Sequence, residues 1–328
     1  MDKRERVAFV LRGLPGLGHV SPAFAIAEEL SARNIETHFI TYANGIAFLK
    51  KKRQAHIHGI STPQHQKGIV PWKDVFEVAT EIMPLIKKIK PGIVVVDGEF
   101  DSFFLLNKTD AKVVMLTTKP YVDHDFGKYT RYSAISEAIM PDVNMIIVHG
   151  LDRPTTKHDN MVFVGPLVRK NFGDPHVAAN TVPICTGLKT NMQLASFVKR
   201  LEKALRNEHL VPFLVGRNGV GAMFVKEPLE YFCDAPFIAT HGGMATIEEA
   251  AVLGKPLMLL CDDDQEKRLN ALSAKHKGLG LTLDIRDAPD GNSIRCMIKS
   301  LMAPSRKKKH LINGTQKAVD AILACGTA

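Results

Sequence analysis

Thr240-His-Gly-Gly-Met-Ala-Thr-Ile-Glu-Glu-Ala-Ala-Val-Leu-Gly-Lys-Pro256, closed by Asp264-Gln265 and Asn270, is the stretch on which the fold turns. The apolar run Pro236-Phe-Ile-Ala239 enters it and meets His241-Gly242-Gly243. A helical pattern follows, with Ile247, Ala250, Ala251 and Leu253 on the buried side, and then a second apolar run, Pro256-Leu-Met-Leu-Leu260. Strand, glycine turn, helix and strand in this order make a βαβ unit of a parallel sheet. The glycines let the backbone pass close to a ligand. They also leave the first helical N–H groups free, and those groups with the helix dipole favour an anion such as a phosphate. Glu249, further along the helix, is a carboxylate suited to a pair of vicinal hydroxyls, as on a ribose. Beyond the next strand, the acidic loop Cys261-Asp-Asp-Asp-Gln265 ends in an acid and an amide, a pair that suits sugar hydroxyls. Phosphate, ribose and sugar in one segment imply a nucleotide-sugar. The competing reading makes Gly242-Gly243 a tight turn only and the acids a solvated face.

The ordered set His241, Gly243, Thr246, Glu249, Gly254, Pro256, Asp264, Gln265 and Asn270 resembles the donor-site signature of the GT-B glycosyltransferases. Both the UDP-glycosyltransferase branch and the family 28 branch that makes peptidoglycan lipid II carry it. The resemblance implies an α/β chain of GT-B architecture, with two Rossmann-like domains whose parallel sheets face a central cleft. It further implies a metal-independent, inverting transfer from a nucleotide-sugar, expected to be UDP-linked, to an acceptor hydroxyl. In that scheme Glu249 holds ribose, His241, Gly242, Gly243 and the Thr186-Gly187 turn hold the diphosphate, and Thr246 is a further donor-site residue. Asp264 and Gln265 orient the sugar. No cofactor is implied, since the nucleotide-sugar is a co-substrate, and Asp262-Asp263-Asp264 sits where the metal-free family has its Asp-Gln.

Composition agrees with a globular enzyme: 45% of the 328 residues are hydrophobic and 23% charged, and the length suits two α/β domains. The apolar runs are too short to span a bilayer. Met-Asp-Lys-Arg-Glu-Arg leads directly into a strand, which predicts no signal peptide. Cys185, Cys233, Cys261, Cys296 and Cys325 form no C-x-x-C pair and read as reduced thiols of a cytoplasmic protein. A net charge of +9 points to an anionic partner, either a nucleotide or an acidic membrane surface. The basic clusters Lys50–Arg53, Lys87-Lys88 and Arg306–His310 read singly as solvated surface, and no nucleic-acid-binding motif accompanies them.

The first half opens with the strand Val7–Leu11 and the loop Gly13-Leu-Pro-Gly16-Leu-Gly18-His19-Val-Ser-Pro22, followed by an amphipathic helix from Ala23 to Arg33. The glycine order is not the dinucleotide fingerprint, and no acid closes the second strand about twenty residues on, so a dehydrogenase is a poor fit. His19 has the chemistry of a general base at neutral pH. Gly18-His19-Val-Ser-Pro22 again resembles the glycosyltransferases, where such a loop, here with Gly16 and Gly18, opens the acceptor half. Lys90-Pro-Gly-Ile-Val-Val-Val-Asp97-Gly-Glu99-Phe100 reads as a buried parallel strand ending in acids, with Asp97 at the same sheet edge as His19. An aspartate there can hold the histidine's tautomer, or it can cap the next helix; Glu99 is a second-choice base. His56 and His58 alternate on one strand, and without a third ligand nearby they predict no metal site.

Further strands are expected at Glu36–Ile40, Ala55–Ile60, Val113–Leu116, Asn144–Val148 and Met161–Val164. Gln64–Pro71 reads as a polar loop, Trp72 as the start of a helix, and Tyr121, His124, Phe126, Tyr129 and Tyr132 as the wall of an acceptor pocket. Gly165-Pro166-Leu-Val-Arg169, with Gly173, Pro175 and Pro183 after it, is the best linker. It divides an acceptor-binding domain, 1–167, from a nucleotide-sugar-binding domain, 168–328. The second half restarts with Val182–Cys185 and the Thr186-Gly187-Leu-Lys189 turn, a second candidate for the diphosphate. The segment from Val215 to Asp234 is compressed for the superfamily, which leaves the base open. Two rivals share the fold: a nucleotide-sugar hydrolase in which His19 activates water, and a non-catalytic nucleotide-sugar-binding subunit. A lipid-linked acceptor at an anionic membrane follows from the charge and the Trp72 region.

Overall fold

The computed structural model describes residues 6–14, 16–62, 77–99, 102–123, 125, 137–170, 178–187, 192–216, 228–304 and 309–327. Gln64–Pro71, Trp72, His124, Phe126, Tyr129, Tyr132, Gly173, Pro175, Leu188, Lys189 and Arg306–Lys308 lie outside these. The chain divides into two units: Met1–Arg169 with Gly314–Ala328, and Lys170–Asn313.

In the first unit, seven strands form one sheet: β1 (Arg6–Leu11), β2 (Glu36–Thr41), β3 (Ile57–Gly59), β4 (Ile93–Asp97), β5 (Lys112–Thr118), β6 (Met145–His149) and β7 (Met161–Gly165). Their order is β3-β2-β1-β4-β5-β6-β7, and every pairing is parallel. Alternation along β1 explains the layering. Val7, Phe9 and Leu11 enter one buried cluster, with α1 (Val20–Ala32), while Ala8 and Val10 enter another with Val78, Ile82 and Ile86 of α3 (Glu77–Ile89). A sheet buried on both faces needs apolar residues at every position, which is why its strands read as continuous runs. Three shorter helices, α2 (Ala43–Lys51), α4 (Phe103–Leu106) and α5 (Lys119–Val122), complete the described connections.

The second unit carries β8 (Thr181–Gly187), β9 (Val211–Gly216), β10 (Ile238–Thr240), β11 (Leu257–Cys261) and β12 (Gly280–Asp284), in the parallel order β12-β11-β10-β8-β9. Its helices are α6 (Met192–Asn207), α7 (Pro228–Cys233), α8 (Met244–Leu253), α9 (Gln265–His276) and α10 (Gly291–Met302). Phe197, Val198 and Leu201 of α6 and Ile294 and Ile298 of α10 cover one face, against Ile184, Phe237, Ala239, Met258 and Leu260.

The second unit ends at Asn313, not at Ala328 as the linker reading has it. The last helix, α11 (Thr315–Thr327), buries Ala318, Val319 and Ile322 in the α1 side of the first unit's core. Gly314 N–H donates to Pro166 O at 2.7 Å and the Thr315 hydroxyl to Val168 O at 3.1 Å. The apolar face of α11 is read easily from sequence, but which core receives it is not. Helix α1 likewise begins at Val20 and not Ala23, because Pro22 is tolerated in a first helical turn where no backbone N–H is needed.

Each sheet has one place where the strand order reverses. It lies between β1 and β4 in the first unit and between β8 and β10 in the second. Loops leaving the carboxyl ends of such strands diverge to opposite faces and open a crevice for ligands. The two candidate site segments stand at these two reversals.

Candidate functional site

In the first unit, β1 delivers the Gly16–His19 loop and β4 delivers Asp97. Leu17 O accepts from Val20 and Ser21 N–H, starting α1 and leaving His19 at its N-cap with no capping bond from its side chain. The His19 Nδ1 lies 2.7 Å from Asp97 Oδ1, across 78 residues of sequence. A carboxylate can only accept, so Nδ1 carries a proton, and in the neutral ring Nε2 keeps its lone pair. Asp97 is buried while His19 is 25% exposed at its side chain, so the pair joins a sheltered carboxylate to an accessible imidazole. Asp97 thus faces the histidine and not a helix end. Its Oδ2 is buried without a hydrogen-bond partner among the described residues.

Two neighbours shape this pair without being apparent from sequence. Gly98 adopts φ +78°, and a methyl group there would sit 3.0 Å from the His19 ring and 2.8 Å from Arg12 Cβ. The close approach of backbone to ring therefore requires glycine. Glu99, the alternative base, is buried and engaged: Tyr42 OH donates to its Oε1 at 2.5 Å, and Arg12 Nε stands 3.9 Å from the same oxygen. Gly18 is exposed and Gly16 half-buried, with open space around the Gly18 Cα.

In the second unit, β10 leads into His241, Gly242 and Gly243, and α8 begins at Met244 with Gly243 as an N-cap that makes no side-chain bond. Gly242 has φ +73°, and a methyl there would lie 2.6 Å from Lys267 O. Gly243 is exposed, and a methyl there would meet nothing within 4 Å. One glycine is thus demanded by packing and the next opens the helix N-terminus to its surroundings. Asn270, buried on α9, donates from Nδ2 to Gly242 O at 3.1 Å and fixes the turn.

His241 is buried, and its N–H donates to Cys185 O at 3.0 Å. Its Nδ1 is 3.1 Å from Lys267 Nζ and its Nε2 is 2.7 Å from Asp262 Oδ2. Burial, and then the Lys267 charge, hold the imidazole below its ordinary range and keep it neutral, so Nδ1 accepts from the ammonium. Its ring thus lies between Lys267 and Asp262. For Asp262, burial is outweighed by the Asp264 N–H and by His241, and the carboxyl is held low. Asp264 caps α9 by accepting from Lys267 N–H at 3.3 Å and pairs with Lys267 Nζ at 3.3 Å. Asp263 pairs with Arg286 at 2.7 Å. Gln265 is exposed beside them and Thr246 half-buried on α8.

Of the adjacent acids, Glu248 is fully buried and Glu249 retains a little surface. Burial, followed by the Glu249 charge, pushes the Cys185 thiol up, so Glu249 is felt at Cys185 on β8. Sequence reasoning missed Asp262, Lys267 and Gly98. The period of α9 sets Lys267 two residues from the Asp264-Gln265 pair, but only the parallel pairing of Thr240 with Leu259 brings Asp262 to His241.

Two doubly wound parallel sheets, with a histidine–aspartate pair at one reversal and an open, glycine-led helix at the other, have the form of a GT-B glycosyltransferase. Residues 16–107 match the glycosyltransferase family 28 N-terminal domain and residues 180–322 the family 28 C-terminal domain. The chain belongs to glycosyltransferase family 28, and it is a glycosyltransferase. It is 21% identical to an uncharacterized glycosyltransferase of Methanosarcina mazei, over 84% of this chain and 85% of that one. It is 23% identical to the Brucella canis UDP-N-acetylglucosamine–N-acetylmuramyl-(pentapeptide) pyrophosphoryl-undecaprenol N-acetylglucosamine transferase, over 78% of this chain and 76% of that one. Among solved structures it is similar to LpCGTa in complex with UDP, with TM-score 0.68, 13% identity, and coverage of 98% of this chain and 99% of that one. No helix among the described residues is long and apolar enough to cross a membrane.

Proposed function

We propose that this enzyme transfers a sugar from a UDP-linked donor to the hydroxyl of a lipid-linked acceptor by one direct displacement, inverting the anomeric centre and using no metal ion. The observation that carries the reading is the 2.7 Å His19–Asp97 contact at the β1/β4 reversal. With Nδ1–H held by Asp97, Nε2 takes the acceptor proton as the acceptor oxygen forms its bond to the anomeric carbon. The bond from that carbon to the diphosphate breaks, and its electron pair leaves with UDP. Asp97 stabilises the imidazolium that results.

The donor belongs to the second unit. The open N–H groups of α8, behind Gly243, meet the diphosphate and stabilise the charge that grows on it. Lys267, held by His241 and Asp264, supplies a cation beside the same turn, while Thr186 and Gly187 approach from the end of β8. Glu249 takes the ribose, and Asp264 and Gln265 the sugar. Asp262, Asp263 and Asp264 each already have a basic or N–H partner, which supports a reading in which they do not share a metal. UDP as donor nucleotide is supported by the printed names of the Brucella enzyme and of LpCGTa. A polyprenyl-diphosphate sugar as acceptor is supported by the Brucella name and by the net charge of +9. The same charge suits a cytoplasmic enzyme working at an anionic membrane surface.

The test is UDP release from UDP-N-acetylglucosamine, with and without a polyprenyl-diphosphate-linked sugar, in the presence of a chelator. Acceptor-dependent release that survives chelation and falls about 100-fold or more in His19→Ala supports the reading. Acceptor-free release identifies a hydrolase. Binding of the donor with no release at all identifies a binding subunit.

A further inference from the structure

The outer edge of the first unit's sheet carries a second cluster of reactive side chains that the transfer chemistry does not use. On β2, Glu36 and His38 are two residues apart and so share one face. Beside it, β3 runs parallel with Phe39 opposite Ile57 and Ile40 opposite His58, and Phe39 N–H donates to His56 O at 2.8 Å. That register sets His38 beside His56, with Glu36 two residues before His38 on β2 and His58 two residues after His56 on β3. The His38 ring centroid is 4.6 Å from that of His56 and 5.4 Å from that of His58. The sequence reading finds no third ligand for His56 and His58. The neighbouring strand supplies two candidate groups, Glu36 and His38.

Glu36 Oε1 is 2.8 Å from His38 Nε2 and 3.6 Å from His56 Nε2. One ligand atom from each of Glu36, His38 and His56 lies within 4.8 Å of the other two. We propose that Glu36, His38 and His56 form a binding site for a divalent transition-metal ion of the zinc type, which clamps β2 to β3.

Two imidazoles and a carboxylate are a donor set for borderline cations and not for calcium or magnesium. Tetrahedral bonds of ~2.0–2.1 Å place ligand atoms roughly 3.3–3.4 Å apart, and the observed 2.8 and 3.6 Å separations bracket that spacing. An outer partner is already in place. His38 Nδ1 is 3.1 Å from His58 Nε2, so a His38 that binds metal through Nε2 donates its Nδ1–H to His58, which fixes tautomer and ring. His38 is buried and His56 is 46% exposed at its side chain, which leaves a fourth position open to water. The cluster lies at the amino-terminal end of β2, away from the carboxyl edge that bears His19 and Asp97, so its role is to brace the strand pair.

The experiment uses the untagged full-length chain, stripped with chelator and titrated with zinc by calorimetry. Cobalt(II) serves as a spectroscopic probe, because four-coordinate cobalt absorbs strongly in the visible. One tight equivalent per chain is expected. His56→Ala and Glu36→Gln each weaken it about tenfold or more, and His58→Gln weakens it by about tenfold through the outer contact. His56 is half exposed, so circular dichroism of His56→Ala is expected to match the parent. His276→Ala, on the surface of the second unit, leaves binding unchanged. Zinc binding no tighter in the parent than in His56→Ala and Glu36→Gln, or no binding at all, overturns the site.

Discussion

Gly242 and Gly243 are adjacent, yet the structure gives them separable jobs, and alanine at each tests the donor site from two sides. At Gly242 an added methyl meets two costs. The left-handed backbone, φ +73°, disfavours an L side chain by roughly 1–2 kcal/mol. The methyl also lies 2.6 Å from Lys267 O, which is backbone and cannot rotate away, and overpacking of this kind costs about 1–3 kcal/mol. Gly242→Ala is therefore expected to lose about 2–5 kcal/mol of stability, a fall in Tm of roughly 4–20 °C. Gly243 has φ −66° and ψ 125°, open to any residue, and its methyl meets nothing within 4 Å. Gly243→Ala should stay within about 1 kcal/mol of the parent. Its methyl instead stands before the first N–H groups of α8, where the diphosphate is proposed to lie, and UDP affinity should fall about tenfold, or ~1.4 kcal/mol. Thermal unfolding and calorimetric UDP titration of both variants read the two effects apart. A stable Gly242→Ala refutes the packing argument, and a Gly243→Ala that binds UDP like the parent refutes the helix-terminus site.

Three further outcomes follow. Asp97→Asn keeps the shape of the His19 contact and removes its charge, worth about 1.5–3 kcal/mol for a charge-assisted bond; kcat should fall roughly 10–150-fold while UDP affinity, measured alongside, is unchanged. Asp123 is partly buried, which alone raises its carboxyl, but N–H donors from Thr155 and Thr156 and the Lys119 ammonium outweigh this and hold it well below the usual range. Such a group stabilises the fold above its unfolded value near 3.9 and loses that contribution as pH falls through the folded value, so urea midpoints below about pH 4 should decline less steeply in Asp123→Ala than in the parent. Ile322→Ala, fully buried on α11, should cost about 2–5 kcal/mol in equilibrium unfolding by leaving a cavity in the first unit's core.

The strands were legible because a sheet covered on both faces must be apolar at every position, and Val7–Leu11, Ile93–Val96 and Leu257–Leu260 are. The glycine turn at His241 and the His19 loop were legible because each stands between such a run and a helical pattern. What could not be read was partnership across strands. Nothing local says that Asp262 comes to His241, or that Glu36 and His38 stand beside His56. Those contacts depend on register, which is a property of the sheet and not of either segment. The return of α11 to the first unit was hidden for the same reason, since an apolar helix face does not name the core that will cover it. Gly98 escaped notice because its role is a close approach to a ring 79 residues away in sequence.

The most direct test of the account is calorimetric titration with UDP, TDP, GDP and ADP of the parent, Glu249→Ala and His19→Ala chains. UDP is expected to bind selectively, Glu249→Ala to lose that binding about tenfold or more, and His19→Ala to keep it. Binding of no diphosphate, or a Glu249→Ala chain that holds UDP as tightly as the parent, contradicts it.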